Sequence, residues 1–302
     1  MPRRIAVIIA CIVAIGAIAV PTATASWWHW GHHHHFPPPP TTTTTAPPVT
    51  TTTVPPTTTT TEPPTTTTTV PVSSAVYRGV GLVDSDCGDI ATLQLTWYYD
   101  WGTTSPCSTT VPFVPMVWGS FSTVPSGLAA NGNRYLLTFN EPDSSSQSNM
   151  TVAQALALWP QLEATGLELS TPAVTGSATG SAWLASFMAG VKADGYSVSF
   201  QAVHWYGDCT NPASLISYLN QMHSLYNLPI WLTEFSCWND SLAENTTFAQ
   251  EIGPMLAQLP YLQRVAWFTN RSYPNGYQNT NLIDGSGNLT TTGDAYLDWS
   301  AP

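Results

Sequence analysis

Two glutamates stand out by their placement: Glu141 in Thr138-Phe139-Asn140-Glu141-Pro142-Asp143 and Glu234 in Trp231-Leu232-Thr233-Glu234-Phe235. Each follows directly on a run of apolar and β-branched residues that reads as a buried strand. Two carboxylates at two strand ends suit cleavage of a glycosidic bond. One is held protonated to deliver a proton to the leaving oxygen; the other stays ionised to attack the anomeric carbon or to activate a water. Either glutamate alone reads as well as a strand-end carboxylate bound to backbone N–H groups at a helix start. The pair is what points to chemistry.

Sugars lay their flat C–H faces on aromatic rings and place hydroxyls against polar partners at the ring edge. Trp97, Tyr98, Trp101, Trp118, Trp205, Trp238 and Trp267 all fall at or just beyond predicted strand ends, and at least three of them are expected to line a cleft. Trp118 and Trp267 lead that group, whereas Trp159 and Trp183 fall on predicted helices and read as packing. Asp84, Asp86 and Asp89 cluster near Cys87. They lack the glycine and terminal glutamate of a calcium loop and read as a solvated acidic turn. The chain shows no zinc-ligand spacing, phosphate-cradling glycine loop or GxSxG elbow, so neither metal nor cofactor is expected. Arg271 could pair with a carboxylate of the same face or meet sugar hydroxyls.

Eight strand-like runs recur: Val76 to Val83, Gln94 to Tyr98, Phe113 to Trp118, Tyr135 to Phe139, Leu167 to Ser170, Phe200 to Trp205, Ile230 to Phe235 and Arg264 to Thr269. Several are apolar almost throughout, as strands buried on both faces should be. Segments with helical spacing lie between the later ones, at Val152 to Leu162, Trp183 to Lys192, Pro212 to Tyr226 and Phe248 to Leu259. This alternation predicts an α/β fold, a (β/α)8 TIM barrel with shortened first βα units; a doubly wound open sheet is the alternative. In such a barrel, functional groups gather at the C-terminal ends of the strands, where Glu141 would close the fourth and Glu234 the seventh.

The 302 residues are 43% hydrophobic and 8% charged, with 13 Trp and a formal net charge of −11. So few charges beside so many rings suit an exported protein that handles uncharged, ring-shaped ligands, and the acidic balance argues against nucleic acid. Residues 1–25 have the layout of a secretory signal peptide, with Arg3 and Arg4, the apolar run Ile5 to Val20 and the small-residue pattern Ala23-Thr24-Ala25; an uncleaved membrane anchor is the alternative. Residues 26–36, SWWHWGHHHHF, form a sticky His/Trp-rich segment. Residues 37–72 are almost entirely Thr and Pro, a disordered, extended linker open to O-glycosylation that would hold the next domain off a cell wall, a membrane or another module. Residues 73–302 form one catalytic domain, expected to be monomeric and extracellular, with wall association through the linker. Cys87, Cys107, Cys209 and Cys237 remain after the leader and read as two disulfides. Of three possible pairings, loops that follow neighbouring predicted strands favour Cys87 with Cys107 and Cys209 with Cys237; free buried thiols are the alternative.

The combination TFNEPD, VHWYG, WLTEFSCW and AWFTNRS resembles glycoside hydrolase family 128, the group with an Asl1-like catalytic domain, over Val76 to Trp299. The resemblance implies a retaining endo-β-1,3-glucanase acting on β-glucan polysaccharide or oligosaccharide, with Glu141 as general acid/base and Glu234 as nucleophile. Asn140 would bind the sugar 2-OH, and Tyr206 would offer its phenol to the nucleophile. His204 is either a structural histidine or a partner of the sugar or of Glu234, and its rank in closeness against Tyr206 is open at this stage. The pKa of Glu141 should be raised and Glu234 kept ionised by hydrogen-bond donors. A non-catalytic β-glucan-binding wall or adhesion module, and a glycosidase of the same clan acting on another neutral polysaccharide, are the alternatives.

Overall fold

The computed structural model describes residues 76–84, 86–273 and 277–299. The expected leader, His/Trp-rich segment and linker lie outside these residues.

Eight parallel strands run in the order β1 (Tyr77–Gly81), β2 (Trp97–Tyr99), β3 (Met116–Val117), β4 (Tyr135–Asn140), β5 (Glu168–Ala173), β6 (Gln201–Gly207), β7 (Ile230–Cys237) and β8 (Leu262–Trp267). They form two arcs, β2-β1-β8-β7-β6 and β3-β4-β5. Bridges between Tyr98 and Phe113 and between Ser170 and Phe200 join the arcs. The first is reinforced by Val114 N–H to Tyr98 O at 2.9 Å and the second by Thr171 N–H to Phe200 O at 2.8 Å. The strands therefore make one ring with β1 against β8, the arrangement of a (β/α)8 barrel.

Its first half is abbreviated, as expected. Helix α1 (Gly88–Thr92) has five residues, no helix separates β2 from β3, and a 3-10 turn at Ala129–Asn131 stands between β3 and β4. The later helices are full and start at clear caps. Thr151 and Gln154 form a capping box for α2 (Val152–Glu163), and Ser241 and Glu244 form one for α5 (Leu242–Leu256). Ser177 caps α3 (Ala178–Asp194), and Pro212 opens α4 (Pro212–Tyr226). Helices α3 and α5 begin earlier than the apolar pattern predicted, because cap chemistry rather than the first large hydrophobe sets a helix start.

The ring is filled by Trp97, Tyr99, Val114, Met116, Leu137, Phe200, Trp231 and Ala266, drawn from or beside six of the strands. Strand β1 contributes space instead. A Cβ at Gly79 would lie 2.5 Å from Trp97 Nε1, so a glycine there lets the indole occupy the interior. At the N-terminal mouth, the Arg264 guanidinium stands 4.3 Å from the Trp231 ring centroid and 5.1 Å from those of Tyr77 and Tyr135, worth about 1–2 kcal/mol per well-desolvated contact. An outer layer, including Trp159, Phe187, Phe235, Phe248 and Trp267, packs the strands against the helices. Α final helix, α6 (Thr291–Leu297), returns to β1 through Tyr296, whose hydroxyl donates to Gly79 O at 2.6 Å.

Candidate active site

The C-terminal end of the barrel brings together Glu141, His204 and Glu234, all buried. Glu141 is the first residue after β4, and its N–H donates to Ala173 O of β5 at 2.7 Å. Its φ of 40° is a left-handed conformation, which costs a side-chain-bearing residue roughly 1–2 kcal/mol and recurs where geometry is demanded by function. Glu234 lies inside β7, three residues before its end, rather than closing the strand as predicted. The β6–β7 register shifts between Val203 and His204, which sets His204 opposite Glu234.

His204 touches both carboxylates. Its Nδ1 is 3.1 Å from Glu141 Oε1 and its Nε2 is 3.5 Å from Glu234 Oε1. A carboxylate oxygen of each glutamate and an imidazole nitrogen lie within 4.8 Å of one another. Glu234 also gathers donors: Tyr206 O–H to Oε2 at 2.5 Å, Trp101 indole N–H to Oε1 at 2.8 Å, and the longer Tyr99 O–H to Oε1 at 3.3 Å. Both His204 and Tyr206 thus contact Glu234, with Tyr206 nearer.

The electrostatics follow from burial. Desolvation raises the Glu141 pKa, His204 opposes through its hydrogen bond and charge, and the negative charges of Glu234 and Asp143 add to the rise. For His204 burial pulls downward, but the Glu234 charge and the Glu141 hydrogen bond outweigh it and the net shift is upward. Both shifts run the same way: each group holds its proton to a higher pH than it would free in water. Desolvation, with the charge of Glu234 next, drives the phenols of Tyr99 and Tyr206 well above their ordinary value, so both remain donors.

Other predicted residues sort by strand parity and depth. Trp101 and Trp118 are half-buried at the ends of β2 and β3, and the Trp118 carbonyl accepts Asn140 N–H at 2.8 Å. Trp238, just past β7, is also half-buried. Three of the expected platforms are corrected. Trp97 points inward but lies too deep, fully buried with its indole N–H on Tyr77 O and Val265 O at 3.1 and 3.2 Å. Trp267 faces the helices, fully buried against Phe235 and Tyr296, and donates to Thr280 O. Trp205 lies between His204 and Tyr206 and therefore points outward, stacked on Phe248 at 5.5 Å. None of these rings has a face to offer a sugar. Tyr98 bonds Ser105, on the side away from Glu234, while the neighbouring Tyr99 reaches the site.

Tyr99 was missed because the predicted second strand stopped one residue short. Phe268 was missed for a related reason. It packs edge-on against both Trp101 and Tyr206, at 5.9 and 5.7 Å, and the alternation after Trp267 could have revealed it. Asn140 is buried, donating to Gln147 Oε1 at 3.2 Å, with its Oδ1 unpartnered among the described residues. Arg271 pairs with carboxylates of the same face, gripping Asp89 through two bonds of 2.6 Å and reaching Asp86 at 2.8 Å, and donates to Asp284 O. Asp89 is therefore buried in an ion pair rather than solvated as expected of the acidic turn. The disulfides Cys87–Cys107 and Cys209–Cys237 both form, each tying adjacent strand-end loops on the face that carries the glutamates.

A family model described as the glycosyl hydrolase catalytic core matches residues 76–296, a span that includes every residue of this site. The chain belongs to that family. Among solved structures, this glycosyl hydrolase catalytic core is similar to a GH128 subgroup I endo-β-1,3-glucanase from Amycolatopsis mediterranei in complex with laminaritriose, at 35% identity and a TM-score of 0.67, covering 74% of this chain and 100% of that one. It is similar also to a GH128 subgroup II endo-β-1,3-glucanase from Pseudomonas viridiflava, at 32% identity and a TM-score of 0.64, covering 76% and 99%. Among curated proteins, alkali-sensitive linkage protein 1 of Schizosaccharomyces pombe is 33% identical over 220 residues, which are 67% of this chain and 40% of that protein. The matched glycosyl hydrolase region thus spans about two fifths of that relative's length.

Proposed function

We propose that the domain hydrolyses β-1,3-glucan internally and with retention, Glu141 acting as general acid/base and Glu234 as nucleophile. The observation that carries this reading is the closeness of the two carboxylates, both within reach of one imidazole and with oxygens inside 4.8 Å of each other. Retaining glycosidases hold their carboxyl groups about 5–5.5 Å apart, whereas inverting ones leave about 6.5–9.5 Å for a water.

In the first step the carboxylate of Glu234 attacks the anomeric carbon. The glycosidic C–O bond breaks, and the leaving oxygen takes the proton of Glu141, whose pKa burial raises. The donors Trp101, Tyr206 and Tyr99 fix Glu234 on its attacking line and keep its charge from the cost of an unsatisfied buried carboxylate. Once the glycosyl–enzyme ester has formed, Glu234 is neutral, and one cause of the raised Glu141 pKa is gone. Glu141, ionised after giving up its proton, takes a proton from the water that attacks the same carbon, and the ester opens with Glu234 regaining its charge. Asn140 keeps an amide oxygen that is unpartnered among the described residues, which suits it to accept from a ring hydroxyl. Trp118, Trp101 and Trp238 are the half-buried candidates left as platforms.

The two disulfides suit an oxidising compartment, and the same reading makes the protein an exported one, its residues 1–25 a leader and residues 37–72 a linker through which it associates with the wall. The test is laminarihexaose hydrolysis followed by proton NMR of the new reducing end. Wild-type cleavage with β-anomer appearing first, and none by Glu234→Gln, is expected. An α-anomer as first product would overturn retention. Binding without cleavage, or cleavage only of another neutral polysaccharide, would overturn the substrate assignment.

A further inference from the structure

The loop that leaves β2 holds a tryptophan in a conformation that bulky residues avoid. Trp101 has φ 57°, and apart from Gln94 and Glu141 the other described non-glycine residues at positive φ are Asn or Asp. Such a conformation costs roughly 1–2 kcal/mol and persists only where neighbouring contacts impose it. The contacts are visible on both sides of it. Asp100 Oδ1 accepts the N–H of Gly102 at 3.0 Å, closing a turn over Trp101, and Gly102 O in turn accepts Met116 N–H of β3 at 2.8 Å. Beyond the turn, the indole lies over Gly81, where a Cβ would come within 2.6 Å of the ring, and meets Phe268 edge-on before its N–H reaches Glu234.

We propose that Asp100 is a positioning residue for the glucanase reaction: by accepting the Gly102 N–H it holds the Trp101 turn and so keeps the indole N–H on the Glu234 carboxylate. This rests on the reading of Glu234 as nucleophile. Asp100 touches neither glutamate and acts through Trp101. Its carboxyl is kept partly buried at an energetic cost, since desolvation outweighs the hydrogen bonds from Gly102 and from its own N–H and pushes its pKa up to about 6. A solvated surface carboxylate would not bear that cost, and the turn gives it a reason to remain. The acceptor is an oxygen rather than a charge, so an asparagine serves equally.

The test is a double-mutant cycle on laminarihexaose with Asp100→Ala, Asp100→Asn, Trp101→Phe and Asp100→Ala/Trp101→Phe. Trp101→Phe is expected to lower kcat about 10- to 100-fold and Asp100→Ala about 10- to 30-fold, with KM changed less than about threefold. Asp100→Asn should stay within about threefold of wild type, and the double variant should be no worse than Trp101→Phe alone, because one pathway carries both effects. Independent losses that multiply in the double variant, or an Asp100→Ala defect confined to KM, would overturn the proposal, the latter in favour of a direct sugar contact. A second readout needs no turnover: the indole N–H resonance of Trp101, assigned by its absence in Trp101→Phe, should lose its exchange protection in Asp100→Ala and keep it in Asp100→Asn. An unchanged resonance in Asp100→Ala overturns the positioning role. Loss of protection in a protein that leaves laminarihexaose intact would instead support the positioning role and overturn the glucanase reading.

Discussion

The Trp101 indole occupies the space that a side chain at Gly81 would fill, with the ring carbons 2.6 and 2.7 Å from where a Cβ would stand. Gly81→Ala must therefore push the ring off β1 or distort the strand. The indole N–H that bonds Glu234 at 2.8 Å moves with the ring. We expect kcat to fall about tenfold or more, with about 1–3 kcal/mol lost from stability, measured by laminarihexaose kinetics and urea unfolding.

The donors on Glu234 should differ in weight. Tyr206 contributes a short hydrogen bond to Oε2, whereas Tyr99 donates more closely to Thr233 O, at 2.8 Å, than to Glu234 at 3.3 Å. Tyr206→Phe is expected to lower kcat about 10- to 100-fold, and Tyr99→Phe less than about tenfold, in single-turnover measurements. An equal loss in both would mean that distance is not what ranks them.

His204 holds the Glu141 pKa below where burial alone would take it. The acid form of Glu141 is needed for the first step, so kcat/KM falls as pH rises through its pKa. Replacing His204 by Gln removes a charge that favours the ionised carboxylate, and the basic limb of the kcat/KM profile should move upward by on the order of one pH unit, even as kcat drops. A downward move would mean that His204 stabilises the protonated form instead.

Asp100 has its folded pKa raised to about 6 by desolvation. A group with a raised folded pKa contributes stability that is complete below its unfolded pKa, about 3.9, and is lost as pH rises through the folded one. Between about pH 4 and 6 the wild type should therefore lose on the order of 1 kcal/mol that Asp100→Asn does not. Urea midpoints across that range read the difference directly.

The disulfides close segments with sequence separations of 20 and 28 residues. The chain-entropy relation gives each about 3–4 kcal/mol, so reduction should lower the thermal midpoint by several degrees. Cys209–Cys237 also ties the loop after Tyr206 to the strand end after Glu234, so its loss through Cys209→Ser should lower kcat at temperatures where the protein remains folded.

What could be read from the chain was what local chemistry dictates. Near-continuous apolar runs alternating with amphipathic segments set the eight-stranded α/β ring, and Glu141 and Glu234 were legible because a carboxylate after a buried run is costly without a purpose. The capping boxes at Thr151–Gln154 and Ser241–Glu244 were also present in the sequence, and they fix two helix starts. The choice among tryptophans was not legible. Trp97, Trp205 and Trp267 sit at strand ends much as Trp101 and Trp118 do, but one lies too deep and two point at helices. Composition cannot separate these cases, because facing depends on strand parity and depth on where the ring closes, and both shift with a single residue of register. The sequence by itself determined the strands, the two carboxylates and the abbreviated first half of the barrel. The tertiary structure alone decided that His204 stands between the glutamates, through a register shift in β6–β7, and that Tyr99, Trp101 and Tyr206 converge on Glu234. Those contacts join residues more than a hundred positions apart in the cases of Tyr99 and Trp101, separations of 135 and 133, which only closure of the ring can span.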